Sequence, residues 1–111
     1  MNNKGFNILE FNSGTNSINL KLKFDRDYKY FQGHFDKFKL LPALIQIHLV
    51  VELYNKHFKD NFIPLKINNL KFVNPIKPLN EYSLEIKRKS TCIDFCFFNE
   101  NIINSKGSLE L

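Results

Sequence analysis

The chain has 111 residues, of which 43% are hydrophobic and 24% charged, and its formal net charge is +5. This length suits one domain, and the composition excludes collagen-like and disordered classes. The longest apolar run, residues 40–51, is broken by Pro42, Gln46 and His48, and the N-terminus lacks an apolar stretch of signal-peptide length. We therefore expect a single domain over residues 1–111, located in the cytoplasm, with no membrane span.

The cysteines and histidines indicate neither a disulfide nor a metal site. Cys92 and Cys96 lie in a strand-like segment, and four residues of strand separate Cα atoms by roughly 13 Å, beyond disulfide reach. The two cysteines and three histidines show no ligand-pair spacing of the zinc type. We expect no bridge, no metal and no cofactor.

The positive charge could serve nucleic acid, an anionic membrane surface or an acidic protein partner. Basic residues are spread over several segments instead of forming one helix stripe, which argues against a helical DNA reader. A solvated basic surface is the simplest interpretation. Among functional interpretations we favour an acidic carrier protein, and we expect no nucleic-acid partner.

Hydrophobic periodicity locates the elements of the first half. Apolar and polar residues alternate in "SINLKLKF", residues 17–24, which predicts a strand with one solvated face. After a turn-rich segment, Pro42 suits the first turn of a helix. The helix would continue through "ALIQIHLVVELYNKHF", residues 43–58, which is apolar nearly all round and so belongs in a core.

Apolar and polar residues alternate again in the second half of the chain. The alternation begins with Leu70 and Phe72, is interrupted by two prolines, and resumes with Tyr82, Leu84 and Ile86. Residues 91–111 predict a hairpin with its turn at residues 99–101. The chain therefore predicts an α+β fold: one or two strands, a long helix and about four more strands, forming an antiparallel sheet of five to six strands around one central helix. Such a sheet buries further surface only against another copy, so we expect a homodimer.

Residues 30–48, "YFQGHFDKFKLLPALIQIH", resemble the active-site segment of the hotdog-fold beta-hydroxyacyl-acyl-carrier-protein dehydratases, and most closely those of the aryl-polyene type. The matching residues are Phe31, Gly33, His34, Phe35 and Pro42, with the family's spacing from His34 to Pro42. The family pattern is not complete, since Asp36 and Lys39 replace prolines and Ala43 replaces a glycine. The family's helix acid, fourteen residues after the loop histidine, is His48 here. The resemblance implies a hotdog fold and dehydration of 3-hydroxyacyl groups held on acyl carrier protein.

The resemblance also implies roles for particular residues. His34 would be the general base. His48 would donate a proton in place of the missing acid, and Glu52, one helical turn further on, could orient His48 or be the acid itself. In the family this acid comes from the partner subunit, so active sites would be shared across a homodimer. The backbone N–H of Ala43 could polarise the thioester carbonyl.

The remaining candidates are substrate-binding residues that also have simpler structural explanations. The set comprises Gly33, Phe35, Leu41, Pro42, Ala43 and Gln46. An acyl tunnel and a hydrophobic core need the same residue types, so Phe35 and Leu41 fit either, and Gln46 fits packing. His34 could be an ordinary turn residue, and His48 a hydrogen-bonded core histidine.

Three functions remain compatible with these residues. The favoured one is a hydro-lyase, a 3-hydroxyacyl-acyl-carrier-protein dehydratase of fatty-acid or aryl-polyene-like lipid synthesis. A hotdog acyl thioesterase would use the same sheet and helix. A non-catalytic acyl-binding or assembly subunit would keep the fold and pair with an active homologue.

Overall fold

The computed structural model describes residues 5–28 and 41–110 of the chain. These residues form β1 (Phe6–Ser13), β2 (Ser17–Phe24), α1 (Ala43–Phe58), β3 (Lys66–Phe72), β4 (Glu81–Arg88), β5 (Cys92–Asn99) and β6 (Ile102–Glu110). The predicted strand at residues 17–24, the helix at residues 43–58 and the final hairpin are confirmed. The sequence predicted one or two strands before the helix, and the structure has two.

The strands form one antiparallel sheet in the order β1-β2-β4-β5-β6-β3. Strands β4, β5 and β6 follow one another in sequence and in space, whereas β3 lies beyond β6 and forms one edge of the sheet. Strand β1 forms the other edge. The predicted α+β architecture of one antiparallel sheet and one long helix is therefore confirmed.

The core lies between one face of the sheet and α1. The strand register aligns apolar residues across the sheet, so that Leu20 of β2 is opposite Leu84 of β4, which is opposite Phe97 of β5. All three are buried, and they share one hydrophobic cluster with Leu49 and Val50 of α1. Burying a side chain of this size contributes about 1.5–3 kcal/mol, so this cluster fixes which side of the helix faces the sheet.

The helix belongs to the core, as its apolar composition predicts, but one stripe of its surface is exposed. The stripe consists of Leu44, His48, Glu52 and Lys56, spaced four residues apart and therefore on one side of the helix. A single sheet covers one side of a helix only, which is why the apolar composition of α1 does not bury it completely. Across the described ranges, no helix is long and apolar enough to cross a bilayer.

Candidate active site

The N-terminal end of α1 has hydrogen-bond donors that no described residue accepts from. Pro42 is the N-cap, in an extended conformation with φ −61° and ψ 150°, and has no side-chain capping bond. Its carbonyl accepts from the N–H groups of Ile45 and Gln46, each at 3.1 Å. Across the described residues, the N–H groups of Ala43 and Leu44 have no acceptor. Because the positive end of the helix dipole lies here, these donors can stabilise negative charge developing on an oxygen atom.

His48 lies one turn after these donors and is exposed. It shares the exposed stripe with Leu44, about 6 Å further along the helix axis at 1.5 Å per residue. The alternative of a hydrogen-bonded core histidine is therefore wrong, because the sheet covers the opposite side of α1. An exposed imidazole at this position is accessible to a molecule bound at the helix end.

Glu52 follows His48 on the same stripe and is also exposed. Among the contacts of the described residues, no hydrogen bond or ion pair joins the side chains of Glu52 and His48. The structure thus places the two groups on one side of the helix without linking them directly. That Glu52 orients His48, or replaces it as the acid, stays a prediction.

Leu41 and Gln46 occupy the core beneath the start of the helix. Leu41 is buried, its N–H donates to the carbonyl of Ile76 at 2.9 Å, and its carbonyl accepts from Gln46 Nε2 at 3.0 Å. Gln46 Oε1 in turn accepts from Ser105 Oγ at 2.6 Å. Both atoms of the Gln46 amide are therefore bonded inside the protein. Substrate contact by Leu41 or Gln46 stays a prediction.

Ser105 is the residue of this network that the sequence did not indicate. It lies in β6, is fully buried, and is separated from Gln46 by 59 positions. A serine in a polar stretch of an edge-proximal strand has no local signal that distinguishes it from a solvated residue. Only the placement of β6 beneath α1 reveals the contact.

The structure describes some of the other predicted site residues but not all of them. Pro42 is half-buried and Ala43 is exposed, both at the start of α1 as predicted. His34, Gly33 and Phe35 lie outside the described residues, so their predicted roles stay predictions. The structure therefore brings together Pro42, Ala43 and His48 at one end of the helix.

The third histidine lies at the opposite end of α1. Its ring packs against Phe11 of β1, with ring centres 5.3 Å apart, and against Phe58, at 4.7 Å. His57 also borders an apolar crevice of about 240 Å³, lined by residues of β1, β2 and the second half of α1. His57 is half-buried. His57 is nine residues after His48, which separates the two histidines by about 14 Å along the helix axis.

Elsewhere among the described residues, reactive groups do not form a second cluster. Cys92 and Cys96 are free thiols on β5. Burial is the main cause that raises the pKa of each thiol, with added repulsion from Asp94 and Glu85 respectively, which disfavours the reactive thiolate. Within residues 5–28 and 41–110, no group of three or more His, Cys, Asp or Glu side chains is arranged to hold a metal ion.

The chain is similar in sequence to one dehydratase family. The model of the ApeI-like family, described as ApeI dehydratase, matches residues 10–108. This range includes every candidate site residue, from Gly33 to Glu52. No protein of the curated set matches the chain in sequence.

Two solved structures have the same fold as this chain. One is described as the dehydratase heterocomplex ApeI:P from Xenorhabdus doucetiae, with a TM-score of 0.83 and 22% identity over 93% of this chain and 94% of that one. The other is an uncharacterized protein from Erwinia carotovora subsp. atroseptica, with a TM-score of 0.74 and 23% identity over 93% of this chain and 90% of that one. These likenesses confirm the predicted hotdog fold.

Proposed function

We propose that this chain, which belongs to the ApeI-like dehydratase family, removes water from a 3-hydroxyacyl group carried as a thioester on acyl carrier protein. The product would be the trans-2-enoyl thioester, in fatty-acid or aryl-polyene-like lipid synthesis. One observation carries the proposal: α1 begins with two N–H donors that have no acceptor among the described residues, and an exposed histidine follows one turn later. That the reaction takes place in the cytoplasm stays a prediction.

The reaction needs a hydrogen-bond donor for the thioester oxygen, because removal of the proton at C2 moves negative charge onto that oxygen. The N–H groups of Ala43 and Leu44 can supply this contact. Neither depends on a side chain, so alanine in place of the family's glycine at position 43 retains the donor. Their acceptors would be atoms of the substrate.

The reaction also needs a base and an acid. We assign the base to His34, whose neutral imidazole would take the proton from C2 as the C2–H electron pair forms the C2–C3 double bond. The C3–O bond breaks, and a protonated His48 gives its proton to the departing hydroxyl, which leaves as water. By its resemblance to the family, each site would combine His34 of one subunit with His48 of the other.

Glu52 is the alternative proton donor, because it lies on the same exposed stripe. The two assignments give opposite results for two conservative variants. If His48 is the donor, His48→Gln removes activity and Glu52→Gln retains it. If Glu52 is the donor, the results are reversed.

The direct test is conversion of a 3-hydroxyacyl group on acyl carrier protein to the enoyl form, together with the reverse hydration, followed by mass spectrometry. We expect turnover in both directions and a loss of roughly 100- to 10,000-fold in His34→Ala, the usual contribution of a general base. Release of free acid without enoyl product would show a thioesterase instead. No turnover by a folded protein would favour the binding-subunit alternative.

The proposed partner subunit would pair along β3. This strand is bonded to β6 on one side only, and it and its flanking segments expose several large apolar side chains: Ile63, Leu65, Ile67, Leu70, Phe72 and Val73. The other edge, β1, exposes fewer: Ile8, Leu9 and Phe11. An exposed apolar edge strand favours pairing with another chain. We therefore propose a homodimer with the two β3 strands adjacent.

Light scattering tests this assembly with a matched pair of variants. Leu65 is 81% exposed beside β3, and Leu9 is 44% exposed on β1. Leu65→Lys should weaken the dimer because it places a charge at the proposed interface, whereas Leu9→Lys should leave it intact. A wild-type protein that is monomeric at micromolar concentration would contradict the shared site.

A second candidate function is a subunit that pairs with a different homologous chain. The observation that favours it is the description of the Xenorhabdus doucetiae structure as a dehydratase heterocomplex. In that case the exposed apolar surface around β3 would contact the other chain. Activity that is absent from the purified chain and appears only after co-expression with a second dehydratase homologue would support this candidate.

The proposed carrier-protein partner is acidic, and the net charge of +5 on this chain complements it. Binding between opposite charges weakens with salt, since the screening length is about 10 Å at 0.1 M. We expect affinity for acyl carrier protein to fall steeply between low salt and physiological salt. Salt-independent binding, or tighter binding to nucleic acid, would contradict the choice of partner.

A further inference from the structure

We propose that Gln46 is a positioning residue for the reaction: its buried amide holds the backbone of Leu41 and thereby sets the direction of the first N–H groups of α1. The inference rests on the proposed function, in which those N–H groups contact the thioester oxygen. It adds a residue that acts through the backbone without touching the substrate.

The geometry forms a closed connection from the helix to the sheet. Gln46 Nε2 donates to the carbonyl of Leu41 at 3.0 Å, and Ser105 Oγ donates to Gln46 Oε1 at 2.6 Å. The N–H of Leu41 donates to the carbonyl of Ile76 at 2.9 Å. Both backbone groups of Leu41 are thus fixed, one by the helix and one by the segment that precedes β4.

The bond from Gln46 to Leu41 encloses the proposed donors. The residues between its two ends include Pro42, Ala43 and Leu44, so their backbone forms a short closed loop. Pro42 restricts φ within this loop, and its carbonyl accepts from the N–H groups of Ile45 and Gln46. The direction of the Ala43 and Leu44 N–H groups therefore depends on where the carbonyl of Leu41 is held.

This arrangement explains how the helix end can be ordered without an ordinary cap. A capping side chain would accept from an N–H group of the first turn and so occupy a donor. Here the start of α1 has no side-chain cap, and the stabilising contact is made on the carbonyl of the preceding residue. The helix start is held while the donors stay available to a ligand.

The side chain at position 46 must both donate and accept. Its donor serves the carbonyl of Leu41 and its acceptor serves the hydroxyl of Ser105. An ionised glutamate has the same shape but only acceptors, so it would place a carboxylate against the Leu41 carbonyl. A protonated glutamate regains one donor, which makes Gln46→Glu a variant whose defect depends on pH.

The other end of α1 provides a matched control. Asn55 Nδ2 donates to the carbonyl of Phe62 at 3.0 Å, and Asn55 Oδ1 accepts from the N–H of Phe62 at 2.9 Å. This is also a side-chain amide that holds a backbone segment beside a helix end, far from the proposed donors. Asn55→Asp makes the same chemical change as Gln46→Glu, so it reports the effect of stability alone.

The experiment compares kcat and KM of wild type, Gln46→Glu and Asn55→Asp with a 3-hydroxyacyl group on acyl carrier protein, from pH 5 to pH 9, on protein shown by circular dichroism to be folded. At pH 8 we expect Gln46→Glu to lower kcat by roughly 10- to 100-fold, because misplacement by about 1 Å has effects of this size. KM should change little. Asn55→Asp should keep at least about half of the wild-type kcat, since it does not touch the donors.

The ratio of the Gln46→Glu rate to the wild-type rate should rise as pH falls. Burial raises the pKa of a carboxyl group, and its protonation restores a donor toward the Leu41 carbonyl. Taking the ratio removes any dependence of the rate on pH that the two proteins share. A ratio that stays near one at every pH, or an equal loss of kcat in Asn55→Asp, would overturn the inference.

A second measurement separates failure of this inference from failure of the proposed function. If the wild-type protein does not act on the thioester, the proposed function fails, and the amide signals of Ala43 and Leu44 in nuclear magnetic resonance spectra decide the inference alone. We expect Gln46→Glu to shift these two signals at pH 8 and Asn55→Asp to leave them in place. Unchanged Ala43 and Leu44 signals in Gln46→Glu would contradict the positioning role.

Discussion

The backbone groups at the two ends of α1 differ in their hydrogen bonds. At the N-terminal end, Pro42 offers no side-chain cap, and the N–H groups of Ala43 and Leu44 have no acceptor within the described chain. At the C-terminal end, Lys59 adopts the left-handed conformation with φ 53°, and its N–H donates to the carbonyl of Asn55. The Asn55 carbonyl at the C-terminal end is therefore bonded within the chain, whereas the first two N–H groups of the helix are not bonded to any described residue.

The surroundings of the two ends differ in the same sense. Aromatic rings pack together at the C-terminal end. The ring centre of Tyr54 lies 4.9 Å from that of Phe58 and 5.5 Å from that of Phe62. The Arg88 guanidinium lies 4.0 Å from the centre of the Phe58 ring. At the N-terminal end, Leu44 is 76% exposed. The comparison shows that aromatic packing stabilises one end of the helix, whereas Leu44 at the other end is open to solvent.

The largest expected difference between the ends is in catalysis, and the two histidines of α1 measure it. His48→Gln should lower kcat by roughly 100- to 10,000-fold, since it removes the proposed proton donor. His57→Gln should change kcat by less than about twofold, because His57 packs against Phe11 and Phe58 at the other end. Steady-state kinetics of the two variants decide this. Equal losses of kcat in the two variants would contradict the prediction that only the N-terminal end takes part in catalysis.

A smaller effect on activity should follow from adding a cap to the open end. In Pro42→Ser the new hydroxyl can accept from the N–H of Leu44 and so compete with the substrate oxygen, which should lower kcat/KM by about tenfold. The free energy of unfolding should change by less than about 1 kcal/mol, because the gain from the cap and the loss of proline rigidity are similar in size. Urea denaturation and kinetics together test this. Unchanged activity in a capped variant would show that Leu44 does not contact the substrate.

At the C-terminal end, the expected effect is on stability alone. Lys59→Gly relieves a left-handed conformation that costs side-chain-bearing residues energy, offset in part by the greater freedom of glycine in the unfolded chain. The net gain should be about 0.5 kcal/mol in urea denaturation, with kcat unchanged. Lys56→Gly, within the helix, is the control and should lose about 1 kcal/mol. A loss in both variants would mean that the Lys59 backbone is not strained.

The smallest expected effect concerns an ion pair near the C-terminal end. Burial acts to raise the pKa of Asp94, but the Lys89 ammonium at 2.7 Å and the Ser108 hydroxyl outweigh it and lower that pKa below its usual range. A carboxyl group with a lowered pKa stabilises the folded state above its unfolded pKa of about 3.9, and this contribution is lost as pH falls through the folded value.

Asp94→Asn should therefore be less stable than wild type at pH 7, by less than about 0.5 kcal/mol because the pair is partly exposed. The gap should narrow as pH falls below about 4, which urea denaturation at several pH values measures. Activity at the far end of α1 should not change. A gap that stays constant from pH 7 to pH 3 would show that the ion pair does not stabilise the fold.

The sequence located most of the elements because their signals are local. Alternation of apolar residues marks β2 and β4, and Pro42 marks the start of α1. It did not locate β1, because a bulge between Ile8 and Glu10 places the extra residue Leu9 in the strand and breaks the period of two. In β1 the irregular pairing with β2 thus removed the local signal from which a strand is predicted.

What the sequence by itself determined is therefore the identity of most of the elements and the spacing from His34 to Pro42, which indicated the dehydratase family. Only the tertiary structure decided that His48 is exposed and that Gln46 contacts Ser105, which is 59 positions away. Helical spacing states which residues share a side of α1, but not which side the sheet will cover. The side that the sheet covers depends on how apolar side chains from strands distant in sequence are buried together. A local sequence pattern does not contain that information.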